Sequence, residues 1–218
     1  MARKIKPDSI LQDISEVTKF GIVIFVVISA FAGYALGFQI EQRFSLIHLF
    51  ATIFGTALLS AGSFALNQVQ EKEIDARMPR TERRPIPRGR LSVTQALLIA
   101  AFCLLSGTGL LFFVKPLTAV LGLITVFLYN VCYTLYWKRN WVFGAVPGAI
   151  PGAMPVVIGY SANNSQIFST ESVYAFLIMF LWQMPHYWAI AIKFKDDYQK
   201  ADIPTLPVSL GTHETLFH

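Results

Sequence analysis

Six apolar runs, each free of Asp, Glu, Lys and Arg, divide the chain: 20–40, 44–66, 91–114, 116–137, 141–160 and 172–192. A helix needs about 20 such residues to cross a bilayer core, and each run is long enough. One run of this kind can be a buried soluble helix, but six in succession predict a membrane protein. The expected fold class is all-α, a polytopic membrane helical bundle with six spans. Residues 1–19 are polar and of mixed charge, with Asp8, Asp13 and Glu16 among the lysines. They resemble neither a secretory signal nor an acid-poor transit peptide. They predict a cytoplasmic tail with an interfacial helix over 9–20, leaving 20–218 as the membrane domain.

Two polar stretches interrupt the apolar pattern, 67–90 and 193–210. The first reads NQVQEKEIDARMPRTERRPIPRGR and carries seven of the 18 Lys and Arg residues and four of the 13 Asp and Glu residues. If the second span continues as a helix, Asn67, Glu71 and Asp75 follow at i, i+4 and i+8 and share one face. Three oxygen donors there suit a hard cation such as Mg2+, and the arginines suit a phosphate. A solvated basic loop that orients the protein is the competing reading. Pro79, Pro85 and Pro87 forbid one continuous helix, so the stretch is expected to fold back as a cap. In the second stretch Asp196 and Asp197 are followed by Pro204 and Pro207. This repeats the order helix, acids, prolines, as though two diverged halves each supplied acids to one cytoplasmic face.

The spans carry local signals of their own. Gly33 and Gly37 lie four apart in the first, a sign of close helix approach. His48 near the outer end of the second reads as an interfacial polar residue. In the fourth, Tyr129, Asn130, Tyr133 and Tyr136 form a polar, aromatic face, and the Asn130 amide needs a partner or a substrate. The fifth, WVFGAVPGAIPGAMPVVIGY, repeats Gly and Pro every four residues. It is either a broken helix lining a chamber or a packed helix with small residues at its interface. Pro185 is expected to kink the sixth span and to set His186 at membrane depth beside Trp182, Tyr187 and Trp188. Cys103 and Cys132 lie in different apolar runs, lack metal-ligand spacing and read as packing residues.

Charge then refines the picture. The net charge is +5, which invites a nucleic-acid partner, but its distribution records topology instead. With the N-terminus in the cytoplasm, sixteen basic residues lie inside and only Arg43 and Lys115 lie outside, as the positive-inside rule requires. The partner implied is the lipid bilayer, with no nucleic acid.

Acidic clusters at the cytoplasmic end of an apolar bundle resemble the intramembrane prenyltransferases of the UbiA type. Asn67-x3-Glu71-x3-Asp75 looks like their first acidic motif, with Glu where Asp is common. Three longer strings are similar to the protohaem IX farnesyltransferase (haem O synthase) branch: DARMPRTERRP from Asp75, YTLYWKR from Tyr133, and WQMPHYWAIAI followed by DYQKADIPTLPV. The resemblance covers about residues 20 to 210.

It implies a Mg2+-dependent farnesyl transfer from farnesyl diphosphate to a vinyl group of protohaem IX, with haem as substrate and a haem A synthase as a downstream partner. Carried over residue by residue, Asn67, Glu71, Asp75 and Asp197 are the implied metal-binding and catalytic set. Lys72, Arg80, Arg84, Tyr133, His186 and Tyr198 are the implied substrate contacts, with His186 facing haem. Lys72, Arg80 and Arg84 are the candidates for phosphate, and Tyr129, Tyr133 and Trp182 for an allylic cation. The implied location is a bacterial plasma membrane, ahead of a mitochondrial inner membrane.

Two features depart from the family pattern. Asp197 is followed by Asp202, five residues on, and the family continues with further spans, so the chain reads as truncated at its C-terminus. The competing functions are prenylation of a quinone-precursor ring, transport through a midplane site, and a structural membrane subunit. The strings around Arg80 and His186 argue against the first. The cytoplasmic placement of the acids argues against the second, and the Asn67-Glu71-Asp75 face against the third.

Overall fold

A computed structural model of the chain describes residues 10–217. Arg3, Lys4 and Lys6 of the expected tail lie outside the described residues. Among the described residues the fold is all-helical, with six helices long and apolar enough to cross a membrane. A short amphipathic helix, α1 (Ile10–Val17), precedes the first of them. It exposes Ile10 and Leu11 and buries Val17, as an interfacial helix does. Lys19 then adopts a left-handed backbone (φ 50) that turns the chain into α2 (Phe20–Gly37).

The second span, α3 (Leu46–Gln70), runs four residues beyond its apolar stretch and carries Asn67 on its last turn. Glu71 separates it from α4 (Lys72–Arg77). The expected face survives this junction, because Glu71 N–H donates to the Asn67 carbonyl (2.9 Å) and Asp75 N–H to the Glu71 carbonyl (2.8 Å). The prolines beyond it turn the chain through successive tight turns, and Thr81 Oγ1 donates to the Asp75 carbonyl at 3.0 Å. A Ser92–Gln95 capping box starts α5 (Val93–Val114), where two orphan amides are satisfied reciprocally.

The fourth span differs from a simple helix. It begins as α6 (Pro116–Phe127), widens into a π-helix over Leu128–Trp137, and ends in α7 (Lys138–Asn140). Thr134 Oγ1 donates to the Tyr129 carbonyl five residues back, at 2.8 Å. A π-helical stretch of this length is rare and such segments gather at functional sites. Its effect is to point Asn130 and Thr134 at α3, where both are buried.

The fifth span, α8 (Ala145–Asn163), is one continuous helix with Pro151 and Pro155 inside it. The broken-helix expectation is corrected: the segment stays helical because it is enclosed on several sides. It meets α2 where a Cβ on Gly33 would overlap the Val156 carbonyl and one on Gly159 the Ala30 carbonyl. The Gly33 signal thus marks a contact that only glycine permits. The two readings of this span also merge, since the same helix lines a chamber. Leu59, Leu111, Leu121, Val156 and Ile158 form a core joining α3, α5, α6 and α8.

The last span, α9 (Thr170–Lys193), contains Pro185 and leads through α10 (Lys195–Lys200) to two short turns, α11 (Leu206–Ser209) and α12 (Thr212–Thr215). The two polar stretches meet as the sequence suggested. Met78 packs with Tyr198, Ala201 and Ile203, and the Arg80 N–H donates to Asp197 Oδ2 at 3.3 Å.

Candidate active site

At the C-terminal end of α3 the three oxygen donors are drawn out of solvent: Asn67 is 1% exposed, Glu71 2% and Asp75 0%. Buried charges persist only with partners, and each has one. Arg84 Nη1 bridges both Asp75 oxygens at 2.8 and 2.6 Å. Lys138 Nζ donates to Glu71 Oε1 at 2.5 Å. Lys19 Nζ donates to Asn67 Oδ1 at 2.8 Å, and the Asn67 amide donates to Thr134 Oγ1 at 3.1 Å.

Burial works to raise the Glu71 pKa, but Lys138, then Lys19 and Arg84, outweigh it and hold the carboxyl below its usual range. Lys19 moves the other way. Burial first, then the Arg84 charge, bring its amine down to about 7 against the pull of Glu71.

Around this cluster lies a supporting network. Asn130 donates to the Ser63 carbonyl (2.9 Å) and to Gln70 Oε1 (3.2 Å), and Ser63 donates to Asn130 Oδ1. Arg139 donates to the Gln70 carbonyl at 2.8 Å. The Asn130 amide is satisfied by protein, so its role is to fix the π-helix against α3. His48 is likewise partnered, with the Tyr34 hydroxyl at 3.1 Å.

Directly beyond the cluster opens an apolar chamber of about 540 Å3 between α2, α3, the π-helix, α8 and α9. Phe64, Tyr129 and Tyr133 line the part of it closest in sequence to the cluster, with the two tyrosine rings stacked at 5.8 Å. The absence of a side chain on Gly148 lets the Tyr133 ring lie against α8. On α9, His186 stacks on Trp182 with centroids 5.1 Å apart and planes within 11°, and both line the chamber. A second cavity of about 440 Å3 is bordered by Glu16, Arg80, Arg83, Arg84, Arg88 and Arg90.

The expected residues are thus gathered unequally. Asn67, Glu71, Asp75 and Arg84 form one buried cluster, and Tyr133 and His186 line the adjoining chamber. Tyr198 is buried in the core between the two polar stretches. Asp197 faces the backbone of Arg80, and the Arg80 guanidinium lies 4.8 Å over the Phe194 ring. Lys72 is exposed on α4 and borders neither cavity. Two residues were missed, Lys19 and Lys138. In the sequence they read only as basic residues on the cytoplasmic side, because contacts across 48 and 67 residues have no local pattern.

The donor chemistry fits a hard divalent cation. One amide and two carboxylate oxygens lie on successive helical turns, and Mg2+ commonly takes one or two carboxylates and completes its shell with water and phosphate. Among the described residues no three His, Cys, Asp or Glu side chains cluster into a closed metal cage.

Known proteins resemble this chain over most of its length. A protoheme IX farnesyltransferase of Bdellovibrio bacteriovorus is 54% identical over 203 residues, 93% of this chain and 70% of its own length. One from Aquifex aeolicus is 39% identical over 95% of this chain and 70% of its own length. Among solved structures, a UbiA homologue from Archaeoglobus fulgidus bound to GPP and Mg2+ superposes with a TM-score of 0.73. It is 18% identical, with 94% of this chain and 71% of that one covered, and so speaks to the fold. The sequence profile of the UbiA prenyltransferase family matches residues 26–218, and the chain belongs to that family.

Proposed function

We propose that this chain transfers the farnesyl group of farnesyl diphosphate to a vinyl group of protohaem IX, with addition of water, giving haem O and diphosphate. The observation that carries the reading is the joining of a buried oxygen-and-cation cluster to an apolar, aromatic chamber. A diphosphate needs the first and its prenyl tail the second. The protoheme IX farnesyltransferases it resembles supply the acceptor.

In this reading the C1–oxygen bond of the donor breaks and diphosphate leaves with the electron pair. The allylic carbon bonds to the terminal vinyl carbon, and water adds to the cation left on the acceptor and sheds a proton. Bound at Asn67, Glu71, Asp75 and Asp197, Mg2+ would supply Lewis-acid charge to the leaving group. Lys138 and Arg84 place positive charge where negative charge develops, which is where electrostatic stabilisation counts most, and Lys19, whose amine is brought down to about 7, adds a donor that charges as that negative charge appears. Lys72 and Arg80 are held as outer candidates for phosphate capture. Phe64, Tyr129 and Tyr133 offer ring faces to the allylic cation and exclude water from it. Trp182 and His186 present a flat stack suited to a porphyrin, with His186 as the candidate iron contact. The cytoplasmic polar stretches, in a bacterial plasma membrane, would deliver product to a haem A synthase.

The test uses membranes containing the chain, supplied with haem, farnesyl diphosphate and Mg2+, with and without chelator. Extracted haems are expected to gain one farnesyl group plus water by mass spectrometry, and chelator is expected to abolish the gain. Prenylation of a quinone-precursor ring with haem left unchanged would overturn the acceptor assignment.

A further inference from the structure

The three oxygen donors of the proposed metal–diphosphate site are each already held by a cation of the chain. Their holders come from separate elements: Lys19 from the α1–α2 junction, Lys138 from the start of α7, and Arg84 from the loop after α4. The Asp75 carboxylate has both oxygens on one guanidinium nitrogen. The Glu71 and Asp75 side chains are 2% and 1% exposed, so water offers little replacement. A divalent ion that takes these oxygens displaces cations that are only partly exposed, the Lys138 side chain at 14% and that of Arg84 at 23%. Separating a buried ion pair is costly when one partner is left uncompensated. A diphosphate removes that cost, since its oxygens can receive the lysines and the arginine at the moment they are freed.

We propose that Lys19, Lys138 and Arg84 are placeholders: they occupy the metal's oxygen donors and transfer to diphosphate when it binds. The site then takes a divalent ion and a diphosphate cooperatively, and each only weakly alone. Linkage makes the effect reciprocal, so metal strengthens diphosphate binding by the same factor that diphosphate strengthens metal binding. The three side chains act as positioning residues before the chemistry and stabilise the leaving group during it. This rests on the reading of Asn67, Glu71 and Asp75 as the metal–diphosphate site.

The distinguishing consequence is a pair of effects with opposite sign. The full chain in lipid nanodiscs is titrated with Mn2+ alone, followed by the EPR signal of free ion, and separately with inorganic diphosphate in chelator by equilibrium dialysis. Lys19→Met and Lys138→Gln are expected to bind Mn2+ at least 10-fold more tightly than the unaltered chain and diphosphate at least 10-fold more weakly. Damage to the fold lowers both affinities together and cannot produce that result. Lys19→Met leaves only a neutral amide without its partner, so it supports the test if Lys138→Gln does not fold. Mn2+ affinity unchanged or reduced in the folded variants overturns the placeholder role. Asp75→Asn separates the two ideas: unaltered Mn2+ binding in the presence of diphosphate would overturn the metal-site reading itself.

Discussion

The α3 end of the chamber and its α9 wall are built in opposite ways. At the first, Asn67, Glu71 and Asp75 are at most 2% exposed and each has a partner within hydrogen-bonding distance. Along the second, Trp182 is 59% exposed and stacks on His186. The indole N–H of Trp188 is buried with no partner among the described residues. A cluster held by Lys19, Lys138 and Arg84 from three elements is preorganised, whereas a stacked ring pair on an open face adapts to what is laid against it. Under the proposed function, the preorganised charge serves bond cleavage and the open face serves the choice of acceptor.

The largest effect that would sharpen this division is at Asp75. Asp75→Asn keeps the shape and removes the charge, so turnover is expected to fall roughly 10^2- to 10^3-fold, the range for deleting one preorganised transition-state contact. Elution as a folded species in detergent should be unaltered. Turnover within a few-fold of the unaltered chain would break the comparison at its stronger end.

Next in size is a packing change remote from the chemistry. Gly33→Leu forces a side chain into the Val156 carbonyl, and overpacking of this kind costs about 1–3 kcal/mol. A lower thermal midpoint is expected, together with a rise in Km for the diphosphate donor, because Lys19 sits at the start of the displaced helix. If the midpoint falls and donor Km does not change, α2 does not position Lys19.

How far these features were legible beforehand follows the range of the interactions. The spans depend on runs of apolar residues, and the Asn67-Glu71-Asp75 face on a spacing of four, so both could be read locally. Glu71 interrupts the helix, yet the i to i−4 bonds across it keep the face intact. The π-helix could not be read, because Leu128–Trp137 is ordinary in composition and the Thr134 Oγ1 bond to the Tyr129 carbonyl within it exists only in the folded helix. Lys19 and Lys138 were hidden for the same reason, since only the folded chain brings them to α3. For the Gly/Pro span, propensity pointed to a break, and enclosure by α2, α6 and α9 overrode it. Asp197 and Lys72 were marked by a family pattern and not by local spacing; Asp197 accepts from the Arg80 backbone N–H, and Lys72 is exposed on α4.

At the adaptable end, His186→Ala removes a ring stacked on Trp182. Such stacks contribute about 0.5–1.5 kcal/mol, so Km for haem should rise roughly 3- to 10-fold with little change in Km for the donor. A matching change in the absorption of bound haem would identify His186 as an iron contact. An increase confined to donor Km would place His186 in the wrong half of the comparison.

The smallest change in overall turnover is expected where the chamber ends. Thr56 is the chamber-lining residue of α3 farthest from Asn67, and eleven residues of helix place it roughly 16 Å away at 1.5 Å rise per residue. With the diphosphate at Asn67, the end of a prenyl tail lying along α3 reaches this level. Thr56 is buried and donates to the Thr52 carbonyl at 2.8 Å, so Thr56→Phe substitutes bulk for a self-satisfied hydroxyl and leaves the charged cluster unaltered. Pocket contacts of this kind discriminate by about 1–3 kcal/mol. The ratio of kcat/KM for geranyl over farnesyl diphosphate should therefore rise about 10-fold, while turnover with the preferred donor stays within a few-fold. An unchanged ratio would mean that the tail leaves α3 before Thr56 and turns toward α9. The open wall would then set donor length as well as acceptor, and the division of labour between the two regions would have to be redrawn.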